Sequence, residues 1–302
     1  MKKLLNISIV ILLGFALLIP MNKTVAAEEV IDEFNGEPII VLGEQLSDEQ
    51  KEETRRLLND KKDVATHEII VTGQDLHRFI GGNPNANMYS SVKITYKKSG
   101  HGLIVNIVTA ENITSVTSDM YMNALVTAGV ENALVEVASP VKVTGESALT
   151  GIYKAYDATN DDLDPERMKV ANEELEITTE LAERDGVTNE EIASLMAEIK
   201  KAIAEMDPVT REEVEEIVEE QLSKLDINLS DEDRQLLVDL FDKMKDLNID
   251  FDQIKDQLND IASKLKDKLD GIDLDEGFFE KIGNFFKNIF DAIAGLFSSS
   301  DD

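Results

Sequence analysis

The hydrophobic period of this chain changes near residue 160. Before that point, short apolar runs bounded by glycine, proline or polar turns alternate with segments of helical period. Ile39-Ile40-Val41-Leu42, between Pro38 and Gly43, and Glu68-Ile69-Ile70-Val71-Thr72, before Gly73, read as strands. So do Val92–Tyr96, Leu103–Val108 and Ala133–Val137. Lys97 to Gly102 separates the third run from the fourth, which predicts a hairpin. Ser47 and Gln50 stand at capping-box spacing and predict a helix to about Leu58. Further helices are expected through Leu76 and Phe79, after Thr114, and after Thr144. Strands alternating with helices predict an α/β amino-terminal domain, a mixed sheet with helices, over residues 28–160.

From Asp161 onward no strand pattern occurs, and an all-α acidic helical region is expected over residues 161–274. Asp164-Pro165 is a helix start with proline at the first helical position. Thr188 with Glu191, and Thr210 with Glu213, repeat the capping-box spacing. Ile227-Asn228-Leu229-Ser230, Ile249-Asp250-Phe251-Asp252 and Ile272-Asp273-Leu274-Asp275 recur at a period of 22 to 23 residues, each with an N-cap residue. Phe251, Ile254, Leu258, Ile261, Leu265 and Leu269 step by three or four, a seam of coiled-coil type. These segments read as helical hairpins or a small bundle, or as an extended array.

The segment 275–302 is different. Phe278, Ile282, Phe285, Phe286, Ile289, Phe290, Ile293 and Phe297 form one broad apolar face. Such a face is expected to be covered by neighbouring helices, by a second copy through the carboxyl-terminal helices, or by a membrane surface.

At the other end, Lys2 and Lys3 precede an apolar run from Leu4 to Ile19, and Val25-Ala26-Ala27 supplies small residues for cleavage before Glu28. Residues 1–27 therefore read as a secretory signal peptide, with a secreted, extracellular or envelope location. The chain has no cysteine, so its core is expected to stand without disulfides. Residues 28–160 carry 20 acids and 11 Lys or Arg, whereas residues 161–302 carry 41 and 16. A field of that sign excludes nucleic acid as a partner. It suits a basic partner, an envelope component or weak binding of divalent cations.

Three glycine junctions echo one another. Gly43-Glu44-Gln45 follows the first strand, Gly73-Gln74-Asp75 the second, and Gly145-Glu146-Ser147 follows Val143. If the strands run parallel, the junctions share the edge where open α/β sheets bind ligands, and Gly43, Glu44, Gln45, Gly73, Gln74, Gly145, Glu146 and Ser147 are ligand-binding candidates. The plainer account is that glycine permits the turn and the acids suit the helix dipole. None is a G-x-G-x-x-G or a P-loop, and no cofactor is expected.

The pairing of Leu42-Gly43-Glu44-Gln45-Leu46 with Thr144-Gly145-Glu146-Ser147-Ala148-Leu149-Thr150-Gly151-Ile152-Tyr153-Lys154-Ala155-Tyr156 resembles the family described as domain of unknown function 1002. The resemblance extends to length, signal peptide, α/β front and helical back. It implies an exported envelope or extracellular protein, mainly of Gram-positive bacteria, and carries over no catalytic residue.

Recognisable chemistry is sparse. His67, His77 and His101 do not make a metal-binding spacing. Asp273-x-Asp275-x-Gly277 starts like an EF-hand loop but has Asn284 at the twelfth position. No metal site is assigned. Tryptophan is absent, which leaves Tyr153 and Tyr156 as stacking platforms for a sugar. The favoured reading is a non-enzymatic binding module carrying an acidic helical arm. Its rivals are a secreted hydrolase using Glu44, Asp75 and Glu146, which requires those carboxylates to converge, and a membrane-docking protein using the Phe-rich helix.

Overall fold

The computed structural model describes residues 37–58, 65–159, 163–184, 187–247 and 249. The segments expected to form a signal peptide (1–27), a helical seam (251–269) and a Phe-rich apolar face (278–297) lie outside these residues. Five strands form one mixed sheet: β1 (Ile39–Gly43), β2 (His67–Val71), β3 (Ser91–Tyr96), β4 (Leu103–Ile107) and β5 (Ala133–Ala138), in the order β2-β1-β3-β5-β4. β1 runs parallel to β2, β4 parallel to β5, and β3 antiparallel to both of its neighbours. The four strands other than β3 thus point the same way.

The apolar run of β1 follows from burial on both faces. Ile39 and Val41 join the main core, while Ile40 and Leu42 meet Leu58 and Ala138 on the opposite side. Leu58 ends α1 (Asp48–Leu58), the crossover between β1 and β2. Its start is the expected capping box: the Ser47 N–H donates to Gln50 Oε1 (2.9 Å), and the Gln50 N–H to Ser47 Oγ (3.3 Å).

One expectation fails here. β3 and β4 do not form a hairpin, because β5 lies between them. Asn132, just before β5, draws the 97–102 link around that strand. Its carbonyl accepts from the Lys97 N–H (2.9 Å), and its Oδ1 accepts from the N–H groups of His101 and Gly102 (3.1 Å each). The helix expected after Thr114 is present as α3 (Ser118–Ala128), with Thr117 as its N-cap. Thr114 gives both its N–H and its hydroxyl to the Val143 carbonyl, at 2.9 and 3.0 Å. It is thereby committed to the extended bridge between Ile113 and Val143.

The remaining helices are α2 (Gly73–Ile80), α4 (Ala148–Ala158), α5 (Pro165–Ala182), α6 (Asn189–Met206), α7 (Arg211–Lys224) and α8 (Asp231–Lys245). The capping boxes of Thr188 with Glu191 and of Thr210 with Glu213 form, Asp164 caps α5, and Ser230 caps α8. Apolar side chains of the sheet, of α3 and α4, and of α5 to α8 belong to a single contiguous core.

α3 is the element through which that core passes, and polar contacts fasten it to the later helices. Arg167 of α5 caps its carboxyl end, donating from Nε to the Thr127 carbonyl (2.8 Å) and from a terminal nitrogen to the Val126 carbonyl (3.1 Å). A cation at that end also complements the helix dipole. Deeper in, Glu174 of α5 and Lys200 of α6 form an ion pair at 2.5 Å, each 1 % exposed. Glu174 also accepts from the Thr127 hydroxyl (2.6 Å), and the Lys200 ammonium donates to the Asn123 carbonyl (2.7 Å). Asn123 in turn donates to the Ala193 carbonyl (3.0 Å). Burial pushes the Lys200 ammonium below the ordinary lysine range, and Glu174 opposes that shift.

Candidate functional site

The three glycine junctions share one edge of the molecule. Gly43 ends β1, Gly73 lies two residues past β2, and Gly145 follows Val143, whose bridge to Ile113 runs parallel beyond β5. With four strands aligned, this is the carboxyl edge, where open α/β sheets take ligands.

At Gly43 and Gly73 the chain itself fills that edge. The segment 81–90 crosses both junctions so closely that a Cβ on Gly43 would overlap the Met88 carbonyl oxygen, and one on Gly73 that of Pro84. Gln45 grips the same segment from both sides. Its N–H donates to the Met88 carbonyl (3.2 Å), and its Oε1 accepts the Met88 N–H (2.5 Å). Met88 is fully buried, and the Gly43 N–H donates to Ser91 Oγ (3.1 Å). The glycines are thus required by close backbone approach. Glu44 is exposed; its carboxylate accepts from the neighbouring Gln45 amide at 3.3 Å, and its N–H donates to the Val71 carbonyl at 3.0 Å.

Asp75 is committed to structure. One oxygen accepts the Thr72 N–H and hydroxyl, both at 2.9 Å, and completes the N-terminal capping box of α2. The other accepts Lys154 Nζ of α4 at 2.6 Å. Burial alone would raise this carboxyl, but Lys154 and Thr72 outweigh it and hold Asp75 below the usual aspartate range. A second pair, Arg78 with Asp157 at 2.5 Å, ties the same two helices together. Gln74, beside Asp75 in the first turn of α2, is exposed.

The third junction is built differently. Gly145 has φ +113°, and the Tyr121 hydroxyl donates to its carbonyl at 2.6 Å. A side chain there would be strained and would also meet Ile113 at 2.7 Å. Ser147 precedes α4 without making a side-chain cap. Glu146 is half-buried, accepts the Thr144 hydroxyl at 3.4 Å, and faces Glu176 of α5 and Glu183, the C-cap of that helix. Burial and those two like charges raise its carboxyl above the usual glutamate range. The structure therefore brings Glu146 to carboxylates that sequence reasoning passed over. The three residues singled out for acid–base work have separate partners.

A carboxyl raised in the folded state binds protons that the unfolded chain releases, so its penalty is complete at neutral pH and fades as pH falls. Glu146→Gln is expected to raise the melting temperature at pH 7, with the gain vanishing below the model-peptide glutamate value of 4.5. Thermal unfolding at pH 4 and pH 7 checks this. A gain of equal size at both pH values would contradict the assignment.

Tyr153 and Tyr156 are 1 % and 5 % exposed, so neither offers a face to a sugar. Tyr153 packs edge-on against Phe79, and Tyr156 against Tyr96. Among the described residues, no group of three His, Asp or Glu side chains is placed to hold a metal ion. Nor is any described helix long and apolar enough to cross a membrane.

Comparison with known proteins adds kinship. The chain is 37 % identical over 271 residues to the uncharacterized protein YpuA of Bacillus subtilis (strain 168), covering 87 % of this chain and 90 % of that one. No solved structure matches. The model of the family described as protein of unknown function, DUF1002, matches residues 42–261, a span that runs from the end of β1 past α8, and the chain therefore belongs to the DUF1002 family.

Proposed function

We propose that this chain is exported and works as a non-catalytic binding module in the cell envelope or outside the cell. The employment of Asp75 carries the non-catalytic part. Its two oxygens serve the α2 cap and the Lys154 ion pair, and a carboxyl held in its charged form is a poor general acid. Glu44 stands exposed, and Glu146 is turned toward α5. The export part rests on the pattern of residues 1–27 and the absence of cysteine. Because α5 to α8 share the core of the sheet, they are part of the module. A spacer or assembly arm would begin beyond Ile249.

Fractionation of a Gram-positive host tests export: the protein should leave the cytoplasm with Glu28 as its first residue. An uncleaved cytoplasmic chain would contradict it. For activity, purified protein is incubated with isolated cell-wall material. Binding without release of soluble fragments is expected. Release that stops in the Glu44→Gln and Glu146→Gln variants would replace this reading with the hydrolase.

A further inference from the structure

We propose that the free edge of β4 is a self-association surface, on which a second copy of this chain pairs its own β4 antiparallel to the first. Among the described residues, β4 is a terminal strand of the sheet, with no strand on its outer side. The Val108 N–H donates to the Val137 carbonyl (2.8 Å), so Ile104, Asn106 and Val108 turn their backbone groups toward β5. Alternation then turns those of Leu103, Val105 and Ile107 to the open side. Open edges are normally guarded by charge, proline or a bulge. The opposite edge follows that rule, since Glu68 of β2 makes a two-pronged pair with Arg55 of α1, at 2.7 and 2.8 Å. Leu103-Ile104-Val105-Asn106-Ile107-Val108 has no charge and no proline. In a chain with 30 % charged residues, that is an unguarded edge.

Charge selects the occupant. Two copies of a chain carrying −31 repel each other wherever their acids meet, and this edge carries none. A two-fold axis makes the pairing antiparallel. With Val105 opposite Val105, Ile104 faces Asn106 of the other copy. Ser99 to His101, in the turn that also holds Lys98, then lies opposite Thr109 to Glu111. Lys98, His101 and Glu111 are all exposed, so a basic turn meets an acidic residue at both ends of the joint. An extended peptide from an unrelated protein would lack this reciprocal match. The joint would make one ten-stranded sheet from two five-stranded ones.

Sedimentation equilibrium of the purified protein should show concentration-dependent dimers. Ile107→Pro removes an outward donor that the fold does not use, and Asn106→Lys adds a charge to the joint while leaving the backbone intact. Both variants should be monomeric with unchanged circular dichroism. The chain has no cysteine, so a chain carrying both Ile104→Cys and Asn106→Cys should form a covalent dimer on mild oxidation. A monomer at every concentration overturns the proposal. So does a dimer that persists in the folded Asn106→Lys protein, or a double-cysteine chain that fails to cross-link.

Discussion

Lys200→Met should lower the unfolding free energy by about 3–5 kcal/mol, and Glu174→Leu by a similar amount. Each single change leaves one charge in the core without its counter-ion, since both side chains are 1 % exposed. Water does not reach the survivor to solvate it. The double variant, Lys200→Met with Glu174→Leu, should recover most of the loss and could exceed the parent, because an apolar pair of similar volume avoids the desolvation of both charges. Thr127 and Asn123 set the limit on recovery: the Thr127 hydroxyl keeps the Asn123 carbonyl as an acceptor at 3.3 Å after Glu174 is gone. Chemical denaturation of the four proteins gives the cycle. Additive losses in the double variant would show that the two charges do not stabilise each other.

Gly43→Ala and Gly73→Ala should each cost about 3 kcal/mol or more, at or beyond the upper end of ordinary overpacking. The added methyl meets backbone carbonyls of the 81–90 segment rather than a side chain that can rotate away. That segment cannot retreat cheaply, because Met88 is fully buried and held by Gln45 on both its N–H and its carbonyl. Gly82→Ala is the matched control. Its Cβ would meet the Leu76 side chain, nearest at Cγ (2.8 Å), which can turn about χ1 where a backbone carbonyl cannot, so its cost should be below that of the other two. Melting temperatures of the three variants check the order. Equal losses would mean that the 81–90 segment yields, and the glycines would then owe their place to turn geometry alone.

Local elements were legible because their signals are local. β1 reads as a strand since burial on both faces leaves no polar position in Ile39 to Leu42. The caps at Ser47, Thr188, Thr210 and Ser230 could be placed because a capping side chain reaches only three residues along the chain. The failures are non-local. Leu103 to Val108 follows β3 after six residues, and adjacency in sequence usually means adjacency in the sheet. Only β5, some 25 residues further on, decides otherwise, and Asn132 gives no sign of its role until β5 is in place. The common edge of the glycine junctions could be stated in advance as a consequence of parallel strands. The 81–90 segment that fills it could not, since Gly81-Gly82-Asn83-Pro84-Asn85 reads as an ordinary loop.

The buried ion pair did leave a trace. Met196, Ile199 and Ile203 mark the apolar face of α6, and Lys200 lies on that face, four residues after the first and three before the last. Likewise Glu174 adjoins Leu175 and stands four residues before Thr178, both buried. A charge within an apolar stripe calls for a buried partner. Within a half so rich in acids and lysines, each passed as one more solvated residue. The partner's identity depends on how α5 and α6 meet α3, which no spacing along the chain reveals.

The central claim is that the sheet layer and helices α5 to α8 fold as one body, keyed by α3. Native-state hydrogen exchange on the full chain tests it most directly. Core amides of β3, β5, α3 and α6 should share one opening free energy, and Lys200→Met should lower all of them by the same amount. If amides of α6 and α7 exchange through a cheaper opening while those of β3 and β5 keep their protection, the helices are a separate unit and the account is wrong.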